Sequence, residues 1–333
     1  MQKIPARKKL LFFITLITTS FVAFAQSASS AEVKMEGSEG TTLTGKVMAT
    51  FDQPWAMTFL PDGHSLVTEK EGVIWLLDKN QQKRFSVENV PDVTARGQGG
   101  LGDVIIHPEF ATNKTVYVSY VERDPQDDAF SGAVIERATL NITNNSASLS
   151  DREIIWRQSP KVTGNGHYSH RMVFSPDGYL FITSGERQKF TPAQNMAMNL
   201  GKILRLNDDG SVPDDNPFVG NGKVTGQIWT LGHRNPLGID FDAEGNLWAH
   251  EMGPRHGDEL NIIERGRNYG YPMVSQGDHY SGTKIPNHED FPIFKAPEKA
   301  WVPAISPAGF IIYKGSKFSD WTGNGFIGGL SSK

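Results

Sequence analysis

The 333-residue chain contains no cysteine, which removes disulfides, thiolate nucleophiles and cysteine-based metal centres at once. Any metal must be held by oxygen or imidazole. Long runs of one charge are also missing. The 33 basic and 37 acidic residues leave a net charge of −4, so neither nucleic acid nor an anionic membrane is expected as a partner. A small polar substrate suits this balance better. Sustained helical periodicity is absent too, apart from a turn predicted at "TPAQNMAMNLGK".

The notable apolar run, Leu10 to Phe24, follows Lys3, Arg7, Lys8 and Lys9 and ends in Ala23-Phe24-Ala25. A basic start, a short apolar stretch and a small-x-small site read as an export signal over residues 1–25. The run is short for a membrane span and "QSASSAEV" follows it, so no span is expected after signal removal. The mature protein is expected to be periplasmic or secreted, with a variable segment at 26–44 and one domain over 45–333.

What is present in quantity is glycine, 34 residues, with 19 prolines and 38% hydrophobic residues. These favour short strands and many turns. One unit recurs: an apolar strand, a Pro-Asp-Gly or related turn, then an alternating strand. It reads "WAMTFLPDGHSLVTE", "RMVFSPDGYLFITSGE" and "GIDFDAEGNLWAHE", with a looser copy in "DVIIHPEFATNKTVYVSYVE". The turn glycine tolerates positive φ and closes a hairpin. "GVIWLLDKNQQKRFSV" and "GKILRLNDDGSVP" read as further hairpins. Repeated sheet units predict an all-β fold of the β-propeller kind. A sandwich explains the recurrence less well.

Four loops are richer in polar and glycine residues than turns require. "ARGQGGLGD" contains Gly97-x-Gly99-x-x-Gly102, the spacing of a dinucleotide-binding loop. That fingerprint needs a strand before it and a helix after it, and here a polar stretch broken by Pro91 precedes it and a strand follows. In "TGNGHYSHRMVF", His167 precedes a strand and can act as a general base. Glu186, ending the same hairpin, is the carboxylate placed to hold its tautomer. The plainer alternative has His167 and His170 satisfying backbone groups, and zinc lacks the ligand spacing it needs. In "LGHRNPLG", Arg234 and Asn235 stand before Pro236 on a rigid turn suited to a ligand with carboxylates or carbonyls. "HEMGPRHGDELNIIERGRNYGYP" gathers Glu251, Asp258 and Glu259 around Gly253-Pro254 and ends at Tyr269, a donor set that a hard cation such as calcium selects. "NDDGSVPDDNPF" is as acidic but reads as a solvated hairpin turn.

Taken in order, "QPWAMTFLPDG", "GQGGLGDV", "GHYSHRMVFSPDGYLFITSGE", "GKILRLNDDGSVPDDNPF", "IWTLGHRNPLGI", "EMGPRHGDELNII", "NYGYP" and "SPAGFIIY" resemble the soluble PQQ-dependent aldose sugar dehydrogenases, relatives of soluble quinoprotein glucose dehydrogenase. The resemblance implies a six-bladed propeller with PQQ in a cleft on one face, the glycines of the 97–102 loop letting the chain run close to the flat cofactor. It gives Gln98 a contact with quinone and sugar, and His167 the role of base toward the C1 hydroxyl of an aldose. Arg234 and Asn235 match the pair that contacts the quinone, and Tyr280 another cofactor contact. The carbonyls of Gly253 and Pro254 match the holders of the cofactor's calcium, while Glu259 and Tyr269 resemble ligands of a second calcium. Lys333 corresponds in order to a cofactor-binding lysine. The product would be the lactone, the electrons would pass to an external acceptor, and a homodimer is left open.

Two departures stand out. Ser169 and His170 replace small residues, which leaves the space for substrate unsettled. The chain also stops at "NGFIGGLSSK", inside a predicted strand, so the last blade is expected to be incomplete, with unpaired edges. Two other functions compete: a calcium-dependent lactonase on a propeller, and a propeller that binds glycans or proteins without catalysis.

Overall fold

The computed structural model describes residues 32–37, 40–81, 84–144 and 146–331. The expected signal at 1–25 and Lys333 lie outside the described residues. β1 (Glu32–Glu36) and β2 (Thr42–Lys46) form a hairpin of their own, described apart from the rest.

From Ala49 onward the chain repeats one construction, the four-stranded antiparallel meander. β3 (Pro54–Phe59), β4 (Ser65–Glu69), β5 (Val73–Leu77) and β6 (Arg84–Glu88) make the first. β7 (Leu101–Ile106), β8 (Thr115–Arg123), β9 (Phe130–Ile142) and β10 (Ala147–Arg157) make the second, with α1 (Phe110–Asn113) between β7 and β8. The two-residue β11 (Val162–Thr163) pairs on β9. β12 (Ser169–Phe174), β13 (Leu180–Ser184), β14 (Lys202–Leu206) and β15 (Ile228–Leu231) make the third. β16 (Pro236–Phe241), β17 (Leu247–Glu251), β18 (Asp258–Ile262) and β19 (Lys299–Trp301) make the fourth. β20 (Pro307–Ile312) and β21 (Gly325–Gly329) pair as a further hairpin. A short parallel contact, Ala147 opposite Val87 and Ser148 opposite Glu88, joins the outer strands β10 and β6.

The predicted hairpins β3–β4, β12–β13 and β16–β17 are all present. Their turns place Gly63, Gly178 and Gly245 at φ 94°, 89° and 85°, where only glycine is comfortable. The hairpin expected in "GKILRLNDDGSVP" is corrected. Its turn closes, with Asn207 N donating to Ser211 O at 2.9 Å, but no strand returns beside β14. Pro213 has no N–H to give a ladder, and Asn216 Nδ2 takes the place by donating to Arg205 O and Gly226 O at 2.9 and 2.8 Å. β15 pairs with β14 only after this loop.

The first strands β3, β7, β12, β16 and β20 stand beside one another in chain order. Apolar clusters fill the space between successive meanders: Leu66, Ile74, Val104 and Val118, then Ile135, Trp156, Ile182 and Leu204, then Phe181, Ile203, Ile239 and Ala249. Each fully buried Leu, Ile or Phe contributes about 1.5–3 kcal/mol. Aspartates latch the first strands together. Asp103 on β7 accepts from Met172 N on β12 at 2.9 Å, and Asp240 on β16 accepts from Ile312 N on β20 at 2.8 Å. Face-packed meanders ordered by their first strands make the fold nearly all-β and propeller-like.

Candidate active site

In an antiparallel meander the start of the first strand and the end of the second lie at the same edge. Gln98 and His167 precede β7 and β12, Arg234 and Asn235 precede β16, and Glu186 and Gly253 follow β13 and β17. The topology therefore brings these separate loops to one end of the sheets. His167, Glu186, Phe190, Arg234, Tyr271 and Tyr280 line a cleft of about 260 Å³ there.

His167 Nδ1 lies 2.5 Å from Glu186 Oε1. The other carboxylate oxygen accepts from the amides of Lys189 and Phe190 at 2.5 and 2.6 Å. An ionised Glu186 can only accept, so Nδ1 carries the hydrogen and Nε2 keeps a lone pair. Burial pushes the imidazole below its ordinary value, against the bond to Glu186, which raises it, and with the Arg234 charge, which lowers it. Burial raises the Glu186 carboxyl, but the bonds from His167 and from the Phe190 amide leave it lowered overall. The result is a neutral, oriented imidazole beside a charged carboxylate.

The segment carrying His167 is strained. His167, Ser169 and His170 have φ of 50°, 60° and 57°, a region that costs a non-glycine residue about 1–3 kcal/mol. Two braces hold it. Gln98 Oε1 accepts from His167 N at 2.7 Å while Gln98 N donates to Asn165 O at 2.8 Å. Beneath, the buried Arg187 stacks 3.7 Å above the Tyr168 ring and donates to Gly164 O, Gly166 O and Ser131 O at 2.6, 2.9 and 2.6 Å.

The glycine loop gets a different explanation from the one the resemblance implies. A Cβ on Gly97 would come within 2.5 Å of Asn165 O, and one on Gly102 within 2.0 Å of the His170 ring. These glycines are needed where the loop touches other protein segments, and Gly102 is itself part of β7. His170 is buried, stacks on Trp55 at 5.1 Å and bonds to Ser119 Oγ at 2.7 Å. Ser169 is buried as well.

Arg234 enters its turn through Glu251, whose Oε2 accepts from Arg234 N at 2.5 Å and whose Oε1 meets His233 Nδ1 at 2.9 Å. The first meander has the same device: Asp52 N donates to Glu69 Oε1 at 2.6 Å, again ahead of a proline that starts a first strand. The Arg234 guanidinium donates to Met252 O at 2.9 Å and faces the Tyr280 ring at 5.9 Å. Its Nε is buried with no hydrogen-bond partner among the described residues. An unsatisfied buried donor of this kind fits a ligand carbonyl or carboxylate. Asn235 is buried, and its Oδ1 accepts from Ser169 Oγ at 2.9 Å, so this oxygen braces the turn that carries Arg234.

Gly253, Pro254, Glu259 and Tyr269 line a smaller cavity next to the cleft, with Arg234 and Tyr271 bordering both. Glu259 stands directly opposite Glu251 across β17 and β18. Burial, and then the charge of Glu251, push the Glu259 carboxyl up to about 8. Two buried carboxylates facing each other beside the loop carbonyls of Gly253 and Pro254 are a donor set that fits a hard cation, although both Glu251 oxygens already meet Arg234 N and His233 Nδ1. The Tyr269 hydroxyl, however, is committed to Ile262 O and Glu264 N. Only its carbonyl is left to act as a ligand, and that carbonyl meets His288 Nε2 at 2.9 Å. No cluster of three histidine, aspartate or glutamate side chains that could hold a metal is found among the described residues.

Sequence reasoning did not find the parts played by Arg187, Glu251 and Phe190. The Glu251 role was readable in principle from the repeat of residue-Pro turns before β3 and β16. The burial of Arg187 was not.

Residues 51–333 match the glucose/sorbosone dehydrogenase family. The aldose sugar dehydrogenase YliI of Escherichia coli (strain K12) is 38% identical over 288 residues, covering 85% of this chain and 76% of that protein. The apo-form crystal structure of the soluble aldose sugar dehydrogenase from Escherichia coli superposes with a TM-score of 0.79 at 38% identity, over 84% of this chain and 81% of that one. The PQQ-bound aldose sugar dehydrogenase from Streptomyces coelicolor gives 0.68 at 27% identity, over 85% and 75%. Together with the cleft geometry, the match over residues 51–333 establishes that this chain belongs to the glucose/sorbosone dehydrogenase family.

Proposed function

We propose that the protein is an exported, PQQ- and calcium-dependent dehydrogenase that oxidises the C1 hydroxyl of an aldose to the lactone. A six-bladed propeller would carry it, and an external acceptor would take the electrons. The observation that carries the reading is the pairing of a Glu186-oriented His167 with the unsatisfied Arg234 Nε in one cleft. Oxidation at C1 breaks an O–H and a C–H bond and forms a carbonyl. His167 Nε2 accepts the hydroxyl proton, because Nδ1 is occupied with Glu186 and burial keeps the ring neutral. Glu186 then stabilises the imidazolium without taking the proton itself. When bound, PQQ supplies the hydride acceptor, and calcium adds Lewis-acid polarisation. Arg234 would hold negative charge on the cofactor with Asn235 beside it, and Tyr280 would cover it. Gly253 and Pro254 would give carbonyls to the cofactor's calcium, Glu259 and the Tyr269 carbonyl would serve a second calcium, and Gln98 would touch substrate from beside His167. Lys333 stays with this proposal as a cofactor contact.

The test is reduction of an artificial dye by the purified chain with glucose, PQQ and calcium, against controls lacking each. Dye reduction requiring all three is expected. Reduction without PQQ, or none with any aldose tried, overturns the reading.

A further inference from the structure

Phe190 is the wrong residue for its backbone and is half-exposed in the cleft. Its φ of 62° and ψ of −80°, with Thr191 N donating to Lys189 O at 2.8 Å, define a γ-turn of the rare and strained hand. Glycine adopts that turn without a Cβ penalty, whereas a side chain is strained there. Core packing does not explain it, since the side chain is 45% exposed. The ring instead meets two other rings, T-shaped to His279 at 5.7 Å and tilted to Tyr271 at 6.4 Å. Its amide donates to Glu186 Oε2 at 2.6 Å, while Oε1 of the same carboxylate meets His167 Nδ1. One carboxylate thus ties together the base and an exposed aromatic surface.

We propose that Phe190 is the surface on which the sugar ring lies, and that it selects aldopyranoses whose ring substituents are equatorial. Such sugars present axial C–H bonds on both faces, an apolar surface that an aromatic ring can remove from water. An axial hydroxyl on the stacking face would be desolvated without a partner and is disfavoured. Because Phe190 and His167 share Glu186, a ring resting on Phe190 keeps a fixed relation to Nε2. This inference rests on the sugar-dehydrogenase reading of the cleft.

The test compares the PQQ- and calcium-loaded chain with Phe190→Gly and Phe190→Tyr, using glucose, xylose and galactose. Glycine keeps the amide bonded to Glu186 and relieves the turn, so a folding defect is not expected from it. In the unaltered protein, kcat/KM for glucose and xylose should exceed that for galactose, whose C4 hydroxyl is axial. Phe190→Gly should raise KM for glucose by about tenfold, corresponding to 1.4 kcal/mol, and erase the preference over galactose. PQQ affinity and kcat should change by less than about threefold, and Phe190→Tyr should restore KM. An unchanged KM in Phe190→Gly overturns the proposal, as does a KM rise matched by loss of PQQ affinity. If the unaltered chain oxidises no sugar at all, the dehydrogenase reading fails and the platform falls with it, an outcome read before any variant is made.

Discussion

His167 and Glu186 are joined by a 2.5 Å bond from Nδ1 to Oε1, and both sit at the one end of the β12–β13 hairpin. The pairing sets which imidazole nitrogen can take a proton and raises the basicity of a ring that burial and Arg234 depress.

Glu186→Gln should therefore lower kcat by roughly 10²–10⁴-fold, the range for a base that loses its orienting carboxylate. KM for the sugar should rise far less than kcat falls, only to the extent that Phe190, whose amide also bonds Glu186, loses its place. The pH profile gives a second readout. The active ring is neutral, so kcat/KM rises with pH through the His167 pKa and then levels off. Because that pKa is lowered, the plateau should begin below the ordinary imidazole range. Removing Glu186 takes away a group that raises the pKa, so the acid limb of the variant should move further down. A profile reduced in height but unmoved would show that Glu186 only supports the loop.

Arg234→Ala should weaken PQQ binding and slow turnover together. Hydrogen bonds to charged partners contribute about 1.5–3 kcal/mol, so a loss of roughly 10- to 150-fold in cofactor affinity is expected by fluorescence titration. Arg234→Lys should not rescue it, since lysine has no donor in the place of the unpartnered Nε and no planar fork. Full cofactor affinity in the alanine variant would put the quinone elsewhere.

Calcium should stabilise the protein through Glu259. Facing Glu251 across the strand pair, Glu259 is held protonated well above the carboxylate range, and a cation would relieve the clash of like charges. Calcium at a hundred times its Kd should add about 2.7 kcal/mol to unfolding, seen as a rise in Tm that a chelator reverses. Glu259→Gln should abolish the rise. Calcium that stabilises both proteins equally would place the ion at another site.

The parts of the site that lie next to a hairpin were legible. His167 and Glu186 flank one Pro-Asp-Gly hairpin, so their meeting follows from antiparallel pairing alone. The resemblance implies glycines that let a loop run close to a flat cofactor, yet Gly97 and Gly102 are closed off by Asn165 O and the His170 ring, because loop packing depends on contacts distant in sequence. Lys202 shows the same limit. Alternation along "GKILRL" gives no hint that its Nζ is buried and donates to Pro192 O, Ala193 O and Leu200 O at 2.7, 3.0 and 2.7 Å. The hairpin expected after β14 failed for a nearer reason, a proline in the returning segment.

Arg187 tests whether the strained His167 loop is held from below. Its guanidinium is 1% exposed, and burial pulls its pKa down to about 10, which leaves it charged at neutral pH. Among the described residues no carboxylate is bonded to it. Its bonds go to the carbonyls of Ser131, Gly164 and Gly166, to the Ser131 hydroxyl and to Gln158 Oε1. Arg187→Met fills much of the volume but takes a donor from the Ser131 and Gly166 carbonyls, a loss of about 1–3 kcal/mol for each buried carbonyl left unpaired, and leaves Gly164 O only its longer bonds from Ser131 Oγ and Tyr168 Oη at 3.3 and 3.2 Å. A loss of about 3 kcal/mol or more in unfolding free energy is expected by urea titration. Slackening of the 164–167 segment should also lower kcat more than it raises KM, because His167 loses its position while the cleft walls stay. Arg187→Lys should fall between the two, one ammonium reaching only some of the carbonyls. An unchanged urea midpoint in Arg187→Met would mean that Gln98 and Glu186 alone hold the loop against its strain.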